Sequence, residues 1–294
     1  MRLAMSSLVA ASLLAWAPAT ASPQSSVDKN VVVGMYSGLA LVMNVHYPES
    51  PNGYGIVVIH GSGWGRPLAY DASMLSERVG IAGPLVEAGY TVFVLNHRAT
   101  PRFQFPAPLE DVQRAVRFIR HHAADYNIDP DRIGAVGGSS GGHLSQLLGT
   151  MDGLGDPEDP DPVNRESAKV QAVVAWFAPV DLTRRAGVAR TLLIGAQLRS
   201  RPAPAELRLY QDASPINYVT PDDPPTLLVH GDADEVVLIE QSVLMRDALE
   251  GVGVPTRFLP VPGGGHGPAL GDAVDAPDYV AATIAWFQQH LGGG

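Results

Sequence analysis

The chain has 294 residues, 46% hydrophobic and 17% charged, with no Cys and a formal net charge of −10. That apolar fraction excludes a disordered or collagen-like chain. The acidic balance disfavours a general nucleic-acid role, since like charge repels a phosphate backbone, and without Cys there is no disulfide, thiolate metal site or Cys nucleophile.

Residues 1–21 read MRLAMSSLVAASLLAWAPATA: a positive start at Arg2, an apolar stretch over 8–16, and Ala19-Thr20-Ala21 as the small-x-small pattern of a signal-peptidase site. This predicts a signal peptide cleaved before Ser22. The product is a single domain over 22–294, exported to the periplasm or the medium and without a membrane anchor. No later run approaches the ~18 to 20 apolar residues of a spanning helix.

Next come strands at 31–36 and 39–47, rich in Val, Leu and Tyr and separated only by Ser37-Gly38, which reads as a tight hairpin. GIVVIH at 55–60 is a continuous apolar run, as expected of a strand buried on both faces. The pattern then alternates. Helices are predicted over 75–88, 109–122, 141–148, 239–249 and 279–291, and strands over 91–95, 132–136, 170–176, 226–230 and 256–261. Strands alternating with helices give an α/β fold. Its eight-stranded sheet is mostly parallel, has helices on both faces and begins with an antiparallel hairpin.

Two stretches stand outside this alternation. Residues 183–212 hold six Arg (184, 185, 190, 199, 201 and 208) and a Leu192-Leu193-Ile194 cluster, placed where a lid over a site would sit. Residues 151–166 carry Asp152, Asp156, Glu158, Asp159, Asp161 and Glu166. Their spacing matches no calcium loop and reads as a solvated acidic loop. No metal site or cofactor is expected.

Chemistry concentrates after the predicted strands. Gly137-Gly138-Ser139-Ser140-Gly141-Gly142 is a G-x-S-x-G turn between a strand and a helix, the context of a nucleophile elbow. Its sharpness demands nearly side-chain-free positions two before and two after the Ser. Gly137 and Gly141 serve Ser139, and Gly138 and Gly142 serve Ser140, so the motif permits both registers. Ser139 lies nearer the strand end. A Ser hydroxyl is a weak nucleophile and needs a base. On such a sheet the acid and then the His follow the Ser along the chain.

Of nine His, only His266 and His290 follow the last plausible acid. His266 lies in a Gly-rich loop after the last strand, whereas His290 ends the terminal helix and reads as a solvated group. The acid should stand at the end of a late strand, which offers Asp234, Asp232 and Asp181. Asp232 reads as a turn former bonding its own loop. His60-Gly61-Ser62-Gly63-Trp64 follows the first buried strand. Its N–H groups at Ser62 or Gly63, with that of Ser140, are candidate oxyanion donors.

Taken in order, HGSGW, NHR with FPAPLEDV, GGSSGGHL, and HGDADEVV with GGGH resemble the α/β-hydrolase superfamily. The chain is similar to exported bacterial esterases of the feruloyl-esterase-like and acetyl-esterase, hormone-sensitive-lipase-related group. The resemblance runs from about His46 to His290. It implies Ser139 as nucleophile, since GGSSGGHL is similar to G-x-S-A-G-G-H-L. It also implies Asp234 as acid, through H-G-x-x-D-x-x-V, with His266 as base. Asn96-His97-Arg98 and residues 105–111 are implied to support the elbow.

Ser62 departs from the H-G-G-G-W pattern, and a positive φ there would strain it. The implied activity is hydrolysis of small or carbohydrate-linked carboxylic esters through an acyl-enzyme, with a small-molecule ester as substrate. Acylaminoacyl-peptidase relatives share the sheet and triad but carry an N-terminal propeller for which this chain has no room. A non-catalytic binding protein of this fold typically lacks a triad member.

Overall fold

The computed structural model describes residues 26–65, 80–184, 189–195, 197 and 199–292. The predicted signal segment, most of the first turns of the helix predicted from residue 75, and Arg185 lie outside the described residues. Eight strands form one sheet: β1 (Val27–Tyr36), β2 (Leu39–His46), β3 (Gly55–Ile59), β4 (Thr91–Leu95), β5 (Ile133–Gly138), β6 (Ala172–Trp176), β7 (Thr226–Gly231) and β8 (Thr256–Val261). Their order is β1-β2-β4-β3-β5-β6-β7-β8. β1 and β2 pair antiparallel, as do β2 and β4, and every other pairing is parallel.

The described helices are α1 (Ala82–Glu87), α2 (Ala107–His121), α3 (Ser140–Thr150), α4 (Arg190–Ile194), α5 (Pro204–Asp212), α6 (Glu240–Gly251) and α7 (Tyr279–Leu291). The helix predicted over 75–88 is not continuous. Gly80 takes φ 67°, a left-handed conformation that interrupts a helix, so α1 begins only at Ala82. None of the described helices is long and apolar enough to cross a membrane.

The central strands β3 to β7 are buried at every residue, which explains their unbroken apolar runs. Side chains alternate between the two faces. Val57, Ile59, Phe93 and Leu95 pack with Leu109, Val112 and Val116 of α2 and Leu144 and Leu147 of α3. Ile56, Val58, Val92 and Val94 pack with Leu85 of α1 and Trp286 and Phe287 of α7. The parallel strands all end on one edge of the sheet, where ligand sites of open α/β sheets are built. The segments after β3, β4, β5, β7 and β8 carry the motifs singled out above.

Candidate active site

Between β5 and α3 the backbone turns on a single residue, Ser139, at φ 54° and ψ −124°. A non-Gly residue there costs on the order of 1–3 kcal/mol, and the surrounding packing holds it in place. Its N–H donates to the Trp176 carbonyl at 2.8 Å, and its own carbonyl accepts from His143 N–H at 3.0 Å, which starts the helix. A Cβ on Gly137 or Gly141 would overlap the Ile59 carbonyl oxygen. A Cβ on Gly138 would stand 2.9 Å from the Phe177 ring, and one on Gly142 would stand 2.8 Å from Ala178 Cβ. All four glycines are therefore required by the packing, and the choice between the two serines comes from side-chain direction. Ser139 Oγ faces His266, whereas Ser140 Oγ is buried without a hydrogen-bond partner. Gly141→Ala is expected to abolish folding or to cost at least about 3 kcal/mol. Thermal unfolding measures this, and an unchanged Tm would show that α3 can retreat from β3.

His266 follows β8 on Gly263-Gly264-Gly265. Its Nε2 lies 2.9 Å from Ser139 Oγ and its Nδ1 lies 2.7 Å from Asp234 Oδ2, so residues 127 and 32 positions apart join one chain of hydrogen bonds. The Asp234 side chain is fully buried and that of His266 is 21% exposed. Asp234 Oδ1 accepts the N–H groups of Val236 and Val237, each at 2.9 Å. Burial pushes the Asp234 carboxyl up, but the bonds from His230, His266 and Val237 outweigh it and hold the group well below the usual carboxylate range. A carboxylate at Oδ2 keeps the proton of His266 on Nδ1, which leaves Nε2 to accept from the Ser139 hydroxyl.

The other candidates sit elsewhere. Asp232 does not bond its own loop. Its Oδ1 accepts Gly263 N–H at 2.6 Å, across the contact where the β7 and β8 loops touch. Asp181 accepts from Thr183 and Arg184, while its own N–H is taken by Gln241 Oε1. His290 is not the solvated group expected. It packs on Trp286 with ring centroids 4.1 Å apart, and burial pushes its imidazole down.

The loop after β3 meets the elbow directly, since a Cβ on Gly61 would stand 3.1 Å from Ser139 Cβ. Ser62 takes φ 109°, so the strain anticipated for a Ser in this pattern is present, and its Oγ donates to the Gly65 carbonyl at 2.6 Å. The N–H groups of Ser62, Gly63 and Ser140 make no hydrogen bond within the described chain. Arg98 and Asp111 pair at 2.8 Å, and Arg98 N–H also donates to Asp111. They brace the segment whose Thr100 bonds the carbonyls of Gly63 and Trp64, so this motif supports the β3 loop. From the 183–212 insertion, Ala189 lies against Gly63, Leu193 is buried, and Arg190 donates to the Leu182 carbonyl. Arg184, Arg199, Arg201 and Arg208 are exposed. In the acidic loop, Asp152, Asp156, Asp159 and Asp161 accept N–H groups of their own loop.

Two further side chains adjoin His266 and Asp234. His230, fully buried, places Nε2 3.4 Å from Asp234 Oδ2 and 2.8 Å from the Val237 carbonyl oxygen. In the sequence it appears only as the first residue of the H-G-x-x-D-x-x-V pattern, four residues before Asp234, with no role attached to it. Phe177, at φ 39°, sets its ring edge-on to His266 at 4.9 Å, and nothing in the sequence marks it.

With this geometry in view, the BD-FAE family profile matches residues 43–249. The chain belongs to the BD-FAE family. It is 31% identical over 217 residues to the probable carboxylic ester hydrolase LipM of Mycobacterium tuberculosis, over 71% of this chain and 50% of that protein. The chain thus spans about half the length of that curated relative. A solved carbohydrate esterase from gut microbiota superposes with a TM-score of 0.77 at 32% identity, over 93% of this chain and 99% of that one. The acetyl ester-xyloside bifunctional hydrolase of Caldicellulosiruptor lactoaceticus superposes at 0.76 with 28% identity, over 92% and 98% of the two chains. BD-FAE membership and these neighbours agree with the α/β-hydrolase architecture of the sheet.

Proposed function

We propose that this BD-FAE chain is a serine carboxylic-ester hydrolase acting on small or carbohydrate-linked esters. The observation that carries the reading is the hydrogen-bonded series Ser139–His266–Asp234 beside three unused backbone N–H groups. Ser139 Oγ attacks the ester carbonyl carbon while His266 Nε2 takes its proton. The oxygen that becomes negative is received by the Ser140 N–H together with that of Ser62 or Gly63. Each such donor is worth about 2.7–4 kcal/mol of barrier. His266 then protonates the departing alcohol, and water activated by the same imidazole releases the acyl group and restores Ser139.

The substrate class draws on the names of the two structural neighbours, a carbohydrate esterase and an acetyl ester-xyloside hydrolase. The insertion at 183–212 acts as a lid, a role supported by Ala189 lying against Gly63. Export is part of the proposal and is supported by the composition of residues 1–21.

The test is turnover of p-nitrophenyl acetate, butyrate and octanoate and of acetylated xylo-oligosaccharides by the purified protein. Hydrolysis falling steeply with acyl length, with acetate released from the oligosaccharide, is the expected result. A folded protein inert toward all of them overturns the reading.

A further inference from the structure

We propose that Trp64 and His143 form a clamp that sets the position of the oxyanion-binding N–H groups, with His143 as a positioning residue. The inference rests on the ester-hydrolase reading. Ser62, Gly63 and Trp64 take successive φ values of 109°, 64° and 57°, a sequence of conformations that persists only where neighbours over-determine it. The carbonyls of this loop are all engaged: that of Ser62 by Gly65 N–H, that of Gly63 by Thr100 Oγ1, and that of Trp64 by Thr100 N–H. These bonds tie the loop to itself and to the segment after β4. They do not fix its distance from α3, which carries Ser140 N–H, the other donor.

Gly61 touches the elbow at its base, and beyond that contact the span is bridged by side chains. The buried Trp64 indole donates from Nε1 to His143 Nδ1 at 3.1 Å, and the two rings meet edge to face at 5.0 Å. His143 lies three residues beyond Ser140 on the first turn of α3. An indole can only donate, so Nδ1 must offer its lone pair and the proton must sit on Nε2. Nε2 lies 2.7 Å from the Ala213 carbonyl oxygen, which accepts that proton. One tautomer satisfies both contacts. Complete burial pushes the imidazole down to about 4, so it is neutral near pH 7 and Nδ1 stays free to accept.

Any buried neutral imidazole must satisfy both of its ring nitrogens. This one joins the strained loop, the elbow helix and Ala213, the residue that ends α5 and closes the insertion. The two halves of the oxyanion cradle are therefore held in register through its ring.

The experiment compares Trp64→Phe, His143→Leu, their double variant and His143→Asn. kcat and KM are read on p-nitrophenyl acetate, along with the affinity for a trifluoromethyl ketone, whose adduct with Ser139 places an oxyanion in the cradle. A donor misplaced by about 1 Å costs on the order of 10²-fold in rate. The expected result is a loss of about 10- to 100-fold in kcat for Trp64→Phe and for His143→Leu. Ketone affinity should fall in parallel, KM should stay within about threefold, and the double variant should be no worse than the poorer single one. His143→Asn, whose Oδ1 can stand in for Nδ1, should recover most of the loss.

Wild-type kcat in folded Trp64→Phe, additive losses, or losses confined to KM overturn the clamp. So does a ring-nitrogen NMR spectrum of the native protein with the His143 proton on Nδ1. If the wild-type protein hydrolyses no ester, the proposed function itself fails, an outcome distinct from an active enzyme insensitive to Trp64→Phe.

Discussion

Ser139→Ala is expected to lower kcat toward p-nitrophenyl acetate by about 10⁶-fold, His266→Ala by a similar factor, and the double variant no further. Each removes one end of a single proton transfer between Oγ and Nε2, now 2.9 Å apart, and half of that pair has no chemistry left to perform. What remains is the stabilisation offered by the backbone donors, so residual turnover above the uncatalysed rate should survive. KM should move little, because neither side chain is placed to bind the rest of the substrate.

Ser140→Ala provides the internal comparison. The Ser140 hydroxyl is buried with no partner, and its N–H is kept by alanine, so kcat should stay within about twofold and stability should hold or rise slightly. Turnover lost in Ser140→Ala but kept in Ser139→Ala would move the nucleophile by one residue.

Asp234→Asn is expected to lower kcat by about 10⁴-fold while the fold survives. The direction follows from hydrogen-bond polarity. The N–H groups of Val236 and Val237 require an oxygen at the Oδ1 position, so the amide NH₂ must occupy the Oδ2 position facing His266 Nδ1. A donor there forces Nδ1 to accept, which moves the imidazole proton to Nε2, where it confronts Ser139 and cannot take its proton. Asp181→Asn changes a residue bonded to Thr183 and Arg184 and should leave kcat near that of the parent. Equal losses in the two variants would refute the assignment of the acid.

The same carboxylate links stability to pH. Its folded-state pKa is depressed, so its contribution is fully present above the unfolded value of about 3.9 and is lost as pH falls from there toward the folded value. Between pH 5 and pH 2.5 the Tm of the parent should therefore fall further than that of Asp234→Asn. A parallel decline of the two would show that Asp234 is not the group responsible.

Much of this architecture is local and was legible from the chain. The buried strands appear as unbroken apolar runs because both faces of the sheet are covered. The elbow appears as glycines because an overlap with the Ile59 carbonyl forbids a Cβ at Gly137 or Gly141. The Gly-rich segment before His266 appears as a loop for the same kind of reason. The helix predicted from residue 75 shows the limit of that reading, since a hydrophobic period does not reveal that Gly80 is left-handed.

By itself the sequence determined the run of strands and five of the seven described helices, α4 and α5 of the 183–212 insertion being missed, together with the turn that carries a serine and short lists of acids and bases. Those properties depend on side-chain size and period within about ten residues. Only the tertiary structure shows that Ser139 rather than Ser140 faces His266, and that Asp234 rather than Asp181 or Asp232 lies within hydrogen-bond distance of that imidazole. It alone revealed Phe177 against His266, His230 beside Asp234 and His143 beneath Trp64. Each of those outcomes is a direction or a distance between strand ends far apart in the chain. The parallel sheet sets such distances by bringing the C-terminal ends of β3, β5, β6, β7 and β8 to a common edge, and no local pattern of residues encodes them.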